Sequence, residues 1–303
     1  MRREISNMRR SITLHWFILL ASALTLVACS RASLVYENAN WLTHRWAVDL
    51  VDATAAQRDQ WRVRFDGLLA EHRERLLPDI TALLRQIERN AERGLHARAL
   101  NCLLDSTDKL YQAHAHLVVP LAVDILSELS PAQQVHLAER MAEHNAEYVE
   151  DYLPNDTEER GKRRVERYLE RIERWTGRLG RVQRELIATE IKTMPDTAEP
   201  WLAYRRQQQR HLLALLRDGA TNPQLTKFLT SWWINFADRP VDLVAATDEL
   251  RRRSIALMLD VDASLAPDQR THFIDEVSDL RASLSRALKA APRPSADNIN
   301  RCS

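Results

Sequence analysis

The chain has 303 residues, 28% of them charged, yet its 43 Lys and Arg face 42 Asp and Glu, a formal net charge of +1. A balance that close supplies no basic footprint for nucleic acid, so no nucleic-acid partner is expected. Only six glycines occur, while Leu, Ala, Arg and Glu dominate; these residues lose little side-chain freedom in a helix, which argues against a β-rich fold and for an all-α one.

Residues 1–28 read as a lipoprotein signal peptide. Arg2, Arg3, Arg9 and Arg10 form a positive start, and the apolar run from Ile12 is short for a flanked bilayer span. It ends in Leu26-Val27-Ala28-Cys29, which matches the bacterial lipobox and makes Cys29 the expected lipidation site; an uncleaved signal anchor is the alternative. Two or three acyl chains, at about 0.8 kcal/mol per buried CH₂, would make release negligible. Ser30 resembles the residue that follows the cysteine in lipoproteins sorted to the outer membrane, so that membrane's periplasmic face is the expected location, ahead of the inner membrane. Residues 29–39 are then a lipidated N-terminus and short tether, 40–290 an all-helical periplasmic domain, and 291–303 a disordered tail. Without residues 1–28 the balance becomes 39 basic against 41 acidic.

The expected architecture is an elongated bundle of about eight or nine helices, several of them long and antiparallel. A first helix spans about Asn40–Asp52, where Trp41, Leu42 and Val48 read as core; the alternative sets Tyr36, Trp41 and Trp46 at headgroup level. Thr54-Ala55-Ala56-Gln57 then opens a long amphipathic run. The pattern returns as Ser130-Pro131-Ala132-Gln133 and, without a capping hydroxyl, as Ala266-Pro267-Asp268-Gln269. A hydroxyl three residues before Gln is a capping box, and proline suits the first helical position. Ala70-Glu71-His72 also matches Ala142-Glu143-His144, and Gln57 precedes Pro78 by the same 21 residues that separate Gln133 from Pro154, which points to two duplicated helix-hairpin units.

Between and beyond these lie further helices. One covers Gly94–Glu128, with Pro120 expected to kink it. The longest runs from Thr157 to about Thr193, others from Asp196 through Leu216, from Asn222-Pro223 through Trp232-Trp233, from Asp238 to Leu259, and from Pro267 to about Ala290. In the longest, Val165, Tyr168, Ile172, Trp175, Leu179, Val182 and Leu186 keep the 3.5-residue period of a coiled-coil seam. Arg164, Arg167, Arg171, Arg174, Arg178 and Arg181 each precede one of them and would form a cationic ridge roughly 25 Å long. Such a ridge suits acidic partners, whether lipid phosphate or an envelope protein; the alternative is pairing with Glu and Asp of neighbouring helices.

Chemistry-bearing motifs are scarce. No nucleophile elbow, HExxH or glycine-rich phosphate loop occurs; no catalytic residue, cofactor or metal ligand is assigned, and the chain is read as a non-enzyme. His72 with Arg75 and Asp79, like His136 with Glu139 and Glu143, reads as a solvated helix face. Cys102 and Cys302 either form a disulfide or remain free thiols.

The order of lipobox, Leu34-Val35-Tyr36, Asn40-Trp41-Leu42, Gln57, His72-Arg73 and Leu77-Pro78 resembles the N-terminal signature of an uncharacterised family of proteobacterial lipoproteins, a domain of unknown function. The three capping segments are similar to the LTxxQ motif of the Spy/CpxP family of periplasmic helical proteins. That second resemblance implies a chaperone-like or scaffold role in the cell envelope; an anionic lipid or lipopolysaccharide module and an enzyme with an unrecognised site are the alternatives.

Overall fold

The computed structural model describes Tyr36 and residues 38–289; the signal peptide, Cys29, most of the tether and the tail lie outside them. Eleven α-helices occur among the described residues, more than the eight or nine expected: α1 Ala39–Val51, α2 Ala55–Arg75, α3 Leu77–Arg93, α4 Ala97–Ser127, α5 Pro131–Tyr152, α6 Thr157–Thr176, α7 Arg181–Thr193, α8 Ala198–Arg217, α9 Asn222–Leu229, α10 Val241–Ser264 and α11 Pro267–Lys289. A π-helical turn, Thr230–Ile234, extends α9. The spine is α4, whose 31 residues run through Pro120 without a break.

The capping segments do more than start helices. Thr54 and Ser130 accept from the Gln57 and Gln133 backbone N–H groups, and each glutamine accepts in return, completing two capping boxes. The two glutamines then bond each other: Gln133 Nε2 donates to Gln57 Oε1 at 2.8 Å and Gln57 Nε2 donates to Gln133 Oε1 at 3.3 Å. Each also donates to the carbonyl five residues before its partner, Gln57 to Glu128 and Gln133 to Asp52. The same clasp recurs between Gln183 and Gln269, at 2.8 and 3.1 Å, with donations to the Ser264 and Arg178 carbonyls. The four N-termini are thus joined as two symmetric pairs, α2 with α5 and α7 with α11, and nearly every polar atom of the buried amides is satisfied.

Three apolar clusters hang on this frame. One joins α1, α2, the second half of α4, α5, α8 and α9 around Val51, Trp61, Phe65, Leu137, Leu212 and Leu229. A second packs Tyr36 with α3, the first half of α4 and α11 through Leu77, Ile80, Leu103 and Leu284. The third joins α6, α7 and α10 through Leu169, Ile187, Ile191 and Leu257.

The single helix expected over Thr157–Thr193 is two. Gly177 takes φ +72° after α6, and Gly180 caps α7 by giving its N–H to Gln183 Oε1 at 2.8 Å. Only glycine enters that region of backbone freely. The chain reverses there, so Arg164 near the start of α6 reaches the Met194 and Pro195 carbonyls just past α7, at 2.9 and 2.7 Å. The coiled-coil seam fails beyond the turn, because α7 docks on α10 with a face set by the hairpin: Val182 is 71% exposed, and Ile187 and Ile191 are buried instead.

The arginine ridge is broken with it. Arg164 is engaged with backbone, and Arg167 donates to the Asp151 carbonyl and lies 4.6 Å over the Tyr152 ring. Arg171, Arg174 and Arg178 are exposed, while Arg181, on the returning helix, pairs with Glu185. Trp41 and Leu42, read as core, are exposed, with the Arg45 guanidinium over the Trp41 ring. His72, read as solvated, is buried, because helix spacing cannot show that Tyr36 and His114 close over it. Cys102 is disulfide-bonded; the other two cysteines, Cys29 and Cys302, lie outside the described residues.

Candidate functional site

The Trp232-Trp233 pair sits in the π-helical turn, where one extra residue per turn widens the helix; the Asn235 N–H bonds the Thr230 carbonyl five residues back. Such turns are concentrated at functional sites. Directly after it, Phe236 and Asp238 take φ of +47° and +59°, a conformation costing an L-residue roughly 1–2 kcal/mol each. Side chains from other helices hold it in place. Tyr111 of α4 donates its hydroxyl to the Trp233 carbonyl at 2.6 Å and stacks on the Phe236 ring, while Tyr204 of α8 donates to the Ala237 carbonyl at 2.8 Å. Arg239 donates to the Phe236 carbonyl at 3.1 Å. Burial pushes the Tyr204 hydroxyl up to about 12 and raises Tyr111 as well, so both remain donors.

This braced turn walls one side of a cavity of about 580 Å³. Thr43, Trp46, Leu50 and Val51 of α1 and Phe65 and Leu68 of α2 form another side. The floor is Val118, Leu121, Ala122, Ile125 and Leu126 of α4. Leu137 and Met141 of α5, with Trp201 and Leu212 of α8, complete it. The lining is overwhelmingly apolar, and its size falls in the range of about 300–1,000 Å³ that small-molecule sites occupy.

One strip of the wall is polar. His144 and Tyr148 on α5, and Arg205 and Gln209 on α8, are each one helical turn apart and line the cavity where those helices pack together. The Arg205 guanidinium lies 4.8 Å from the centre of the Tyr148 ring, a contact that offsets part of its desolvation. Burial is the main influence lowering the pKa of Arg205, which nonetheless remains charged. Burial, helped by Arg140 and Arg205, brings His144 down to about 4, so it is neutral near pH 7. Gln209 accepts from Asn145 Nδ2 at 2.7 Å, which leaves its own amide N–H₂ as what it offers. The Tyr148 hydroxyl donates to the Ala198 carbonyl at 3.2 Å. Chemically the strip presents hydrogen-bonding groups beside an apolar hollow.

A second polar cluster lies apart from the cavity. Tyr36 O contacts His72 Nδ1 at 2.9 Å, His72 Nε2 contacts His114 Nε2 at 2.8 Å, and His114 Nδ1 meets the Leu110 carbonyl at 2.6 Å. Burial, then His114 and Arg73, holds His72 down at about 3. Among the described residues no three His, Cys, Asp or Glu gather as a metal site, and no helix is long and apolar enough to cross a membrane.

Of the residues singled out in the sequence, the six arginines are not brought together with the cavity, and Cys29 and Cys302 lie outside the described residues. The cavity itself went unread. Its available signals are the consecutive tryptophans and His144, which in the sequence stands only as half of a repeat. No curated protein and no solved structure matches the chain. A family model matches residues 49–233, a stretch that contains all of the cavity lining except Thr43, Trp46, Ala47, Phe236 and Thr247. The chain belongs to the Family of unknown function (DUF6279).

Proposed function

We propose that this protein is an envelope binding protein that holds an apolar small molecule in the cavity between α1, α4, α5, α8 and the π-turn. The cavity carries the reading. An apolar hollow of about 580 Å³ that opens to the surface leaves aliphatic and aromatic side chains facing water unless something fills it, and one of its walls is braced by strained backbone. The lipobox at Cys29 supports an outer-membrane, periplasmic setting, where apolar molecules are at hand. The capping boxes at Thr54 and Ser130 support the likeness to the LTxxQ proteins as a helix-capping pattern. A client-binding chaperone using the arginine ridge has less support, since Arg164 and Arg167 are bonded to backbone.

The test uses the full-length chain carrying Cys29→Ser, kept free of detergent, titrated with the neutral fluorophore diphenylhexatriene. Trp46, Trp201, Trp232 and Trp233 line the cavity and act as energy donors. Saturable uptake of one dye per chain, with quenching of the tryptophans, is expected. Linear, non-saturating partitioning would overturn the reading.

A further inference from the structure

Resting on that reading, we propose that the occupant is an uncharged amphiphile, an alcohol with a long apolar body, whose hydroxyl sits between Gln209 of α8 and His144 of α5. Most polar groups on the wall are already engaged. The Tyr111, Tyr148 and Tyr204 hydroxyls are spent on the carbonyls of Trp233, Ala198 and Ala237, and those of Thr43 and Thr247 on carbonyls of their own helices. Thr197, at the N-cap of α8, stands roughly three turns from Gln209. Gln209 has its oxygen taken by Asn145 Nδ2 at 2.7 Å, and its N–H₂ is left to donate. The half-buried His144 ring lines the same wall and makes no hydrogen bond among the described residues.

Asn145 follows His144 on α5, so its bond to Gln209 sets the two open groups on facing helices at one level, to within about 1.5 Å of helix rise. Burial, with Arg140 and Arg205 outweighing Glu143, keeps His144 uncharged near pH 7. A neutral imidazole offers one N–H and one bare nitrogen. A hydroxyl can therefore accept from Gln209 and give its own proton to the bare nitrogen, both through one oxygen. An ether can do only the first.

Ionic heads find no such fit. Arg140, Arg205 and Arg206 all act on this strip, yet none opens a charged donor into the hollow. Arg205 packs on the Tyr148 ring, and its Nε and Nη2 have no accessible surface. Arg140 pairs with Glu143, Arg206 is exposed, and neither is among the described residues that line the hollow. An anionic head would lose its hydration without a charge-assisted hydrogen bond in exchange, which is costly. A cationic head would be repelled by the arginines.

The experiment loads the Cys29→Ser chain, free of detergent, with diphenylhexatriene. The dye is then displaced with dodecanol, its isomer undecyl methyl ether, dodecyl sulfonate or dodecyltrimethylammonium, each below its micelle concentration. Dodecanol should act at a concentration about tenfold or more below that of either ionic compound. His144→Leu should weaken dodecanol about fivefold and leave the ether and the dye unchanged, whereas Gln209→Leu should weaken alcohol and ether alike and spare the dye. Should a variant fail to fold, the ranking of alcohol against ionic heads in the unaltered chain still decides. An ionic compound as potent as the alcohol, or a His144→Leu chain that binds the alcohol as before, overturns the hydroxyl assignment and leaves the apolar site standing. Failure of the dye itself to saturate the unaltered chain overturns both.

Discussion

The protonation of His72 follows from its neighbours. A carbonyl can only accept, so His114 carries its proton on Nδ1, towards Leu110, and presents a bare Nε2. His72 must then donate from Nε2 and accept on Nδ1 from the Tyr36 hydroxyl, a neutral chain with every partner used. Folding therefore holds His72 at about 3, against about 6.5 in the unfolded chain. Above pH 6.5 neither state binds this proton and stability is intact. Between 6.5 and 3 the unfolded chain takes it up and the folded chain does not, so stability falls with pH. The slope from this one group approaches about 1.4 kcal/mol per pH unit. His114 and His144, also lowered, act in the same direction. Urea midpoints followed by circular dichroism from pH 7.5 to 4.5 should fall more steeply for the unaltered chain than for His72→Phe, which starts less stable but has lost the titration. The sequence could not show this. Helical spacing alone sets His72 beside Arg75 and Asp79, whereas α2 ends at Arg75, Asp79 belongs to α3, and the burial of His72 is decided by Tyr36 and His114, 36 and 42 residues away.

Helices and their caps were the most legible level, and the failures there are specific. Three of the four clasp glutamines stand out in the sequence because hydroxyl or proline precedes them. Gln183 does not, since Gly180 offers no side chain and Val182 and Leu186 continue an apolar period across the turn. What no local pattern contains is that Gln57 finds Gln133, or Gln183 finds Gln269. Gln57→Ala and Gln133→Ala should each cost about 1–3 kcal/mol by stranding a partly buried amide. The double variant should lose clearly less than the sum, because both singles break the same pair; urea denaturation of all four proteins measures it. Gly177→Ala tests the α6–α7 reversal. At φ +72° with His272 Cδ2 3.5 Å from the added methyl, the strain rather than a clash should lower stability by about 1 kcal/mol or more. No loss in the melting temperature would contradict a conformation that demands glycine there.

At the scale of the whole molecule, apolar periodicity shows which faces turn inward but not whether facing side chains meet. That is why an all-α body was readable and the hollow within it was not. Trp61, Leu225 and Leu229 belong to one apolar cluster and are fully buried; Trp46, Leu50, Ala122 and Trp233, at equally regular positions, stand back and leave a space. Filling it should trade binding for stability. Ala122→Leu extends a floor residue into the hollow and should raise the urea midpoint by the equivalent of about 0.5–2 kcal/mol. The same change should cut dye uptake at least tenfold. Equal loss of both would mean that the lining is already close-packed.

The walls of that hollow are scattered along the chain from Thr43 to Thr247. A ribosome adding about 5–20 residues per second needs roughly 10–40 s to deliver them all. For that interval the greasy inner faces of α1, α4 and α5 have no roof, so the nascent polypeptide depends on an attendant holdase or on early capture of its own cargo, and a chain stopped before the π-turn should accumulate as aggregate.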